Sequence, residues 1–252
     1  MFQDFGIQIP DIFSAKRVLA IQPHYDDNDI SAGGTLARLA ESGAELIYLT
    51  VTDDLAGVIH DEWDALESAR QLKQEQELAG EIIGVSQHYR LGYPDAGQYQ
   101  YFDLRRDIIK LIRTLKPDLL FSLDPWMLYE AHTDHLLAAR ATAEAALLYP
   151  FKRIPGDPIV DEKVEPHPLQ AVVFHSTSYP NTIMDISPVL DKKNAALRCY
   201  KAQFTEPDLE QLVAKTSLFA QYQARNEPFE FGEALKIMPP ELMHGVSEAF
   251  RF

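Results

Sequence analysis

Two short clusters hold the side chains best suited to chemistry: Pro23-His24-Tyr25-Asp26-Asp27 and His132-Thr133-Asp134-His135. Neutral imidazole and carboxylate are ligands that zinc takes, and a catalytic zinc has three protein ligands and an open position for water. His24 and Asp27 are three residues apart in what reads as a loop, so both can turn towards one point. His135 supplies a third donor if the two clusters meet in space. Asp26 stands next to a ligand without sharing its direction, which leaves its carboxylate free as general base for a water activated by the ion. His132, about one helical turn ahead of His135, can face the same cavity and protonate a leaving nitrogen or polarise a carbonyl.

The same residues admit duller readings. Paired aspartates after a strand also hold magnesium in phosphoryl-transfer folds, which would give the work to Asp26, Asp27 and Asp53 and leave His135 idle. Asp53-Asp54 is equally a solvated, helix-capping pair. A lone histidine after a strand is usually a surface or hydrogen-bonded residue, and His60, His88, His167 and His175 are read that way. There is no Gly-x-Ser-x-Gly elbow. Without a Gly-x-Gly-x-x-Gly or Walker A loop, Gly33-Gly34 is poor evidence for a nucleotide. Cys199, mid-helix near Leu197, reads as a packing residue.

Both clusters follow stretches that read as buried strands. Arg17–Gln22 precedes the first; Asp118-Leu119-Leu120-Phe121-Ser122-Leu123 precedes the second. Between them, a helix is expected beyond Ser31-Ala32-Gly33-Gly34-Thr35, running through Leu36, Leu39 and Ala40 to Gly43. Glu45–Thr52 is a strand, residues 62–83 a helix stopped by Gly84, and Tyr89-Arg90-Leu91-Gly92-Tyr93 a short strand. Leu104, Ile108, Leu111 and Leu115 mark a helical stripe, and Thr133–Leu148 is an alanine-rich helix. This alternation predicts an α/β fold: a Rossmann-like, open, mostly parallel sheet with helices on both faces. Right-handed crossovers put the strand-to-helix loops on one edge, where ligands of such folds bind. Residues 150–168 carry five prolines and read as an irregular excursion. Ala171-Val172-Val173-Phe174 resumes the sheet, helices are expected near 188–204 and 206–224, and 229–238 reads as extended. With no repeat or low-complexity segment, residues 1–252 are read as a single domain.

The formal net charge of -15 argues against nucleic acid and anionic membrane surfaces as partners. One cysteine rules out an intramolecular disulfide and fits a reducing compartment. Residues 1–10 lack a basic and an apolar signal region, and no apolar run approaches the ~20 residues of a membrane span, so a cytoplasmic location is expected.

Taken together, Pro23-His24-Tyr25-Asp26-Asp27, Gly33-Gly34-Thr35 and His132-Thr133-Asp134-His135 resemble the signature of the zinc-dependent de-N-acetylases. That family includes N-acetylglucosaminyl-phosphatidylinositol de-N-acetylase, the thiol-sugar deacetylases and the archaeal diacetylchitobiose deacetylases. Ile21-Gln22-Pro23-His24, Asp124-Pro125-Trp126, Tyr129-Glu130, Gly232-Glu233-Ala234 and Ile237-Met238-Pro239 are similar to the last of these. The resemblance implies hydrolysis of the N-acetyl group of an N-acetylglucosamine-type sugar, diacetylchitobiose-like or a small conjugate, with release of acetate. It makes His24, Asp27 and His135 the zinc ligands, Asp26 the general base and His132 the acid or oxyanion-stabilising residue. Asp134 would orient a ligand histidine, Asp95 would bind sugar, and His244 would reach a neighbouring subunit's site in a homo-oligomer, by analogy a hexamer. The chain departs from the family at Tyr25 and Thr133, where proline is usual, at Asp54, where glycine is common, and at Leu72 and Tyr200, where arginine and histidine are expected. These departures leave a second reading open, a catalytically silent sugar-binding protein that retains the metal site.

Overall fold

The computed structural model describes residues 6–163, 165 and 167–252; residues 1–5, the start of the expected lead-in, and two positions of the proline-rich excursion lie outside the described residues. The strands are β1 (Arg17–Gln22), β2 (Glu45–Thr52), β3 (Val85–Tyr93), β4 (Leu119–Leu123), β5 (Ala171–His175), β6 (Thr182–Asp185) and β7 (Gly232–Met238). They form one sheet in the order β3-β2-β1-β4-β5-β7-β6. β1 to β5 are parallel, β7 runs antiparallel to β5, and β6 antiparallel to β7. The helices are α1 (Asp27–Glu41), α2 (Ala65–Ile83), α3 (Tyr101–Leu115), α4 (Thr133–Leu148), the short α5 (Pro158–Asp161), α6 (Leu190–Leu197) and α7 (Glu206–Gln223). Among the described residues no helix is long and apolar enough to cross a membrane.

The central strands read as unbroken apolar runs because both faces are covered. On one face Val18, Ala20, Leu46, Tyr48 and Phe121 pack beneath α1, α2, α6 and α7. On the other, Leu19, Ile21, Ile47, Leu49 and Leu120 pack beneath α3 and α4. The chain leaves β1 towards β2 on one side and returns to β4 on the other, so β1 and β4 flank the point where strand order reverses. Open α/β sheets bind ligands in the crevice at that point. Both clusters sit there, one following β1 and the other on the connection from β4 to α4.

Several elements differ from the sequence reading, for identifiable reasons. Helix α1 begins at Asp27, ahead of the glycine pair, so Asp27 lies in the first helical turn, where a carboxylate is favoured by the helix dipole. Gly34 is needed for close approach: a Cβ there would lie 2.7 Å from Ile186 Cβ. In α3 the fully buried side chains are Leu104, Ile108, Ile109 and Ile112, with Leu111 and Leu115 only flanking the core. The helix expected near 188–204 stops at Leu197, which puts Cys199 beyond its end. β6 has no clear sequence signal, because its four residues are only half-buried and lack a strong apolar pattern. The excursion after α4 is organised by the buried Arg113 of α3, whose guanidinium donates to Tyr149 O at 2.9 Å, Phe151 O at 3.0 Å and Ile154 O at 3.0 Å, and pairs with Asp161.

His88 was expected at the surface or in a hydrogen bond. It instead lies edge-on to Tyr48 with ring centroids 5.8 Å apart, and a Cβ at Gly80 of α2 would fall 2.7 Å from its Cε1. Its Nδ1 is buried without a partner. Burial, with the nearby Arg90 charge, lowers its pKa to about 4. An unfolded histidine takes its proton near pH 6.5, so this group's contribution is full above that value and is lost as pH falls towards about 4. His88→Gln cannot titrate and escapes the loss. Between about pH 7 and about pH 4.5, urea unfolding should therefore show wild type losing about 1–2 kcal/mol relative to the variant, after allowance for solvent screening. A difference that stays constant over this range would refute the assignment.

Candidate active site

The turn between β1 and α1 is held through its backbone. Pro23 O accepts from Thr52 N at 3.0 Å and from Thr52 Oγ1 at 2.9 Å. Tyr25 O accepts from Gln22 Nε2 at 3.1 Å, Gln76 Nε2 at 3.3 Å and the Tyr200 hydroxyl at 3.1 Å. Tyr25 N–H donates to Asp54 Oδ2 at 3.0 Å, and His24 N–H to Asp27 Oδ2 at 2.9 Å. The single proton of the Tyr200 hydroxyl is shared between Tyr25 O and Asp29, which also accepts from Tyr48 at 2.6 Å. The turn is thus locked onto β1, β2, α2 and the segment after α6.

The structure brings His24, Asp27 and His135 together. Asp27 bridges the two rings, with Oδ2 3.3 Å from His24 Nδ1 and Oδ1 3.3 Å from His135 Nε2. On the other side of His24, Nε2 lies 3.4 Å from both Asp95 Oδ1 and Asp134 Oδ2. Asp95 gets there because Ala96 and Gly97 adopt left-handed φ values of 66° and 69°, turning the chain after β3 back onto α4. Asp134 is fully buried; its Oδ2 accepts Ala96 N–H at 2.9 Å, and its carboxylate also meets Asp95 and the Tyr99 hydroxyl. His132 stacks on His135 with centroids 4.7 Å apart, meets His24 edge-on at 4.6 Å, and its side chain is 46% exposed. His244 is not brought to this cluster: it is exposed, just past the turn Pro240–Met243.

Electrostatics separate the groups. Burial alone lowers the His24 pKa, but the hydrogen bond and charge of Asp27, with Asp54 and Asp95, raise it to about 10. Burial pushes Asp27 up, but hydrogen bonds to His135 and His24 win and hold it well below the carboxylate range. Asp26, at the N-cap of α1 with no cap bond, is pushed well up by burial and then by the charges of Asp27 and Asp54. His135 is raised despite burial, because Asp27 and Glu130 outweigh it.

Donor atoms of His24, His132 and His135 lie within 4.8 Å of one another, as do those of His24, Asp95, His132 and Asp134. Imidazoles converging with the buried carboxylates of Asp27 and Asp134 fit a borderline metal ion such as zinc. The sequence reading gives His132 and Asp95 other tasks; in the structure their donor atoms lie in the same cluster. The structure also gives tasks to two residues that the sequence reading names without assigning them one in the site. Glu130 Oε2 lies 3.1 Å from His135 Nδ1. Asp54, expected to be solvated, is 2% exposed and holds the turn. Neither has a periodicity or ligand spacing that marks it. Of the departures, Leu72 is a fully buried core residue, Thr133 packs against the turn at Gly97, and Tyr200 is part of the lock.

The sequence profile of the GlcNAc-PI de-N-acetylase (PIG-L) family matches residues 19–146, about half of the chain. The chain is 31% identical over 241 residues to the diacetylchitobiose deacetylase of Thermococcus kodakarensis, covering 96% of this chain and 90% of the relative. It therefore belongs to the GlcNAc-PI de-N-acetylase family. It is also 31% identical over 157 residues, 52% of this chain and 53% of the relative, to the 1D-myo-inositol 2-acetamido-2-deoxy-alpha-D-glucopyranoside deacetylase of Rhodococcus erythropolis. Among solved structures, the N,N'-diacetylchitobiose deacetylase of Pyrococcus horikoshii superposes with a TM-score of 0.87 at 28% identity, over 96% of this chain and 91% of that one. GalB, the 4-carboxy-2-hydroxymuconate hydratase of Pseudomonas putida, shares the fold with a TM-score of 0.71 at 22% identity, over 88% and 96% of the two chains. One architecture thus carries different reactions, and function has to be argued from the site.

Two departures explain each other. Asp54 has φ 57°, the left-handed conformation that suits the glycine usual there, and its carboxylate accepts the N–H of Tyr25, which the usual proline would lack. Removing either partner leaves a buried polar group unpaired, costing about 1–3 kcal/mol. In a double-mutant cycle of Tyr25→Pro and Asp54→Gly, urea unfolding should give a coupling of about 1–2 kcal/mol, the double variant losing less than the summed singles. Additive losses would dissolve the pairing.

Proposed function

We propose that this chain is a metal-dependent hydrolase that removes the acetyl group from the amine of an N-acetylglucosamine-type sugar, diacetylchitobiose-like or a small conjugate, and releases acetate. The observation that carries the reading is the convergence, at the strand-order switch, of the His24–Asp27 turn with the first turn of α4. Membership of a de-N-acetylase family supports it, as do relatives named as deacetylases of acetamido sugars. We assign the metal to His24, Asp27 and His135 and take zinc as the ion, on the chemistry of that donor set. Bound there, the ion supplies Lewis acidity, which polarises an amide carbonyl and makes water more acidic.

The remaining steps belong to the protein. Asp26 has the raised proton affinity a general base needs, because burial and two neighbouring carboxylates disfavour its charge. It takes the proton as water oxygen bonds to the acetamide carbon. The part-exposed His132 faces the mouth of the cluster, where it stabilises the oxyanion and protonates the nitrogen as the C–N bond breaks. Water and amide thus become amine and acetate. Asp134 steadies His24 from behind, and Asp95 borders the sugar.

The same reading takes residues 1–252 as one domain working in the cytoplasm, in keeping with the single free Cys199. It also takes the protein as a homo-oligomer. Exposed Trp126, Leu128 and Phe250 around an apolar cavity of about 600 Å³, with His244 turned outwards near it, support that part.

Zinc-loaded protein should release acetate from N-acetylglucosamine compounds, and chelation should abolish it. Asp26→Asn should lower kcat by roughly 10²–10⁴-fold while metal content, read by elemental analysis, is kept. His135→Ala should lose the metal as well as the activity. Undiminished turnover in Asp26→Asn, or full metal occupancy in His135→Ala, would overturn these assignments.

A further inference from the structure

We propose that Glu130 is a positioning residue of the metal centre: its carboxylate determines which nitrogen of His135 is offered to the ion and fixes where that nitrogen stands. The inference rests on the reading of His135 as a ligand. Glu130 Oε2 lies 3.1 Å from His135 Nδ1, and Oε1 accepts the backbone N–H of His132 at 2.7 Å. An ionised carboxylate can only accept, so the proton of a neutral His135 sits on Nδ1 and the lone pair on Nε2. Nε2 is the nitrogen that faces Asp27 Oδ1, at 3.3 Å. Glu130 meets the ring at Nδ1, on the side away from Asp27, and its other oxygen is taken by His132 N–H, so it acts through the ring and not as a ligand.

The second oxygen makes the grip rigid. His132 occupies the N-cap of α4, and its own side chain makes no cap bond. Glu130 covers that N–H, tying the ring of His135 and the start of its helix to one carboxylate. Rotation of the ring would have to break a bond anchored on the helix end itself.

The backbone before Glu130 carries a second, independent sign. Tyr129 has φ 66°, a left-handed conformation uncommon for a residue other than glycine, asparagine or aspartate. Its side chain is fully exposed, at 101%, so no packing of the ring repays the bend. Strain of this kind persists where the surrounding structure over-determines it, and it gathers at functional sites. Here the contact it serves is the double hold of Glu130 on His132 and His135.

The test measures zinc affinity of full-length wild type, Glu130→Ala, Glu130→Gln and His135→Ala by competition with a chromogenic chelator, with the absorption spectrum of the cobalt-substituted proteins as a signature of ligand geometry. Loss of a carboxylate behind a ligand histidine typically weakens metal binding 10–100-fold, and Glu130→Ala should show a loss of that size with an altered cobalt spectrum. Glu130→Gln keeps one acceptor and should fall between it and wild type. Glu130→Ala binding zinc within about threefold of wild type, with an unchanged cobalt spectrum, would overturn the inference while leaving His135 as ligand. Should His135→Ala itself bind as tightly as wild type, the ligand assignment fails and this inference with it. If Glu130→Ala does not fold by circular dichroism, Glu130→Gln decides: affinity equal to wild type refutes the role, a clear loss supports it.

Discussion

The main chain of residues 23–26 has to leave a buried strand and enter a helix where little water can reach it. Each polar backbone group left unpaired in such a place costs about 1–3 kcal/mol, so the turn exists only because partners arrive from several directions. Thr52 of β2 holds Pro23, while Gln22, Gln76 and Tyr200 share the carbonyl of Tyr25. Asp54 takes its N–H. The positions of His24, Asp26 and Asp27 follow from this lock, since none of the three has freedom left in its own backbone. A catalytic constellation gains from such rigidity, because its side chains are held by packing and hydrogen bonds laid down in advance.

The charge in the cluster has a related logic. Asp26, Asp27, Asp54, Asp95 and Asp134 surround three imidazoles in a part of the protein mostly closed to solvent. The result is a site that demands positive charge, and a proton on His24 supplies it when nothing else does, which is why that pKa rises to about 10. A metal ion answering the same demand must expel the proton, so its affinity rises with pH.

Much of this was legible in the amino-acid sequence, and what was not has physical causes. β1, β2, β4 and β5 announce themselves as apolar runs because they are buried on both faces, and α4 by its alanines. The two clusters stood out because histidine and aspartate at close spacing after a strand are rare in a packed core. Side chains that support others carry no such mark. Glu130 and Asp54 look like surface carboxylates until the chain is folded around them, and Tyr200 looks like a core aromatic until its hydroxyl meets Tyr25 O. The glycine pair reads as a loop ahead of α1, whereas it lies inside the helix, where Gly34 lets Ile186 approach.

Helix α1 has one more partner, contributed late in the chain. The buried Glu233 of β7, paired with Lys193 at 2.7 Å, accepts from Gly34 N at 2.9 Å and from Thr35 N at 2.7 Å. Both histidine motifs lie within residues 19–146, the segment matched by the family profile, but this carboxylate and the Tyr200 hydroxyl do not. A nascent chain that has emerged only as far as α4 therefore carries every proposed ligand and the proposed base, yet lacks two of the groups that fix the turn and the helix bearing them. These contacts close a loop of nearly two hundred residues, so the geometry of the site depends on the docking of the last strand as well as on the segment that carries its donors.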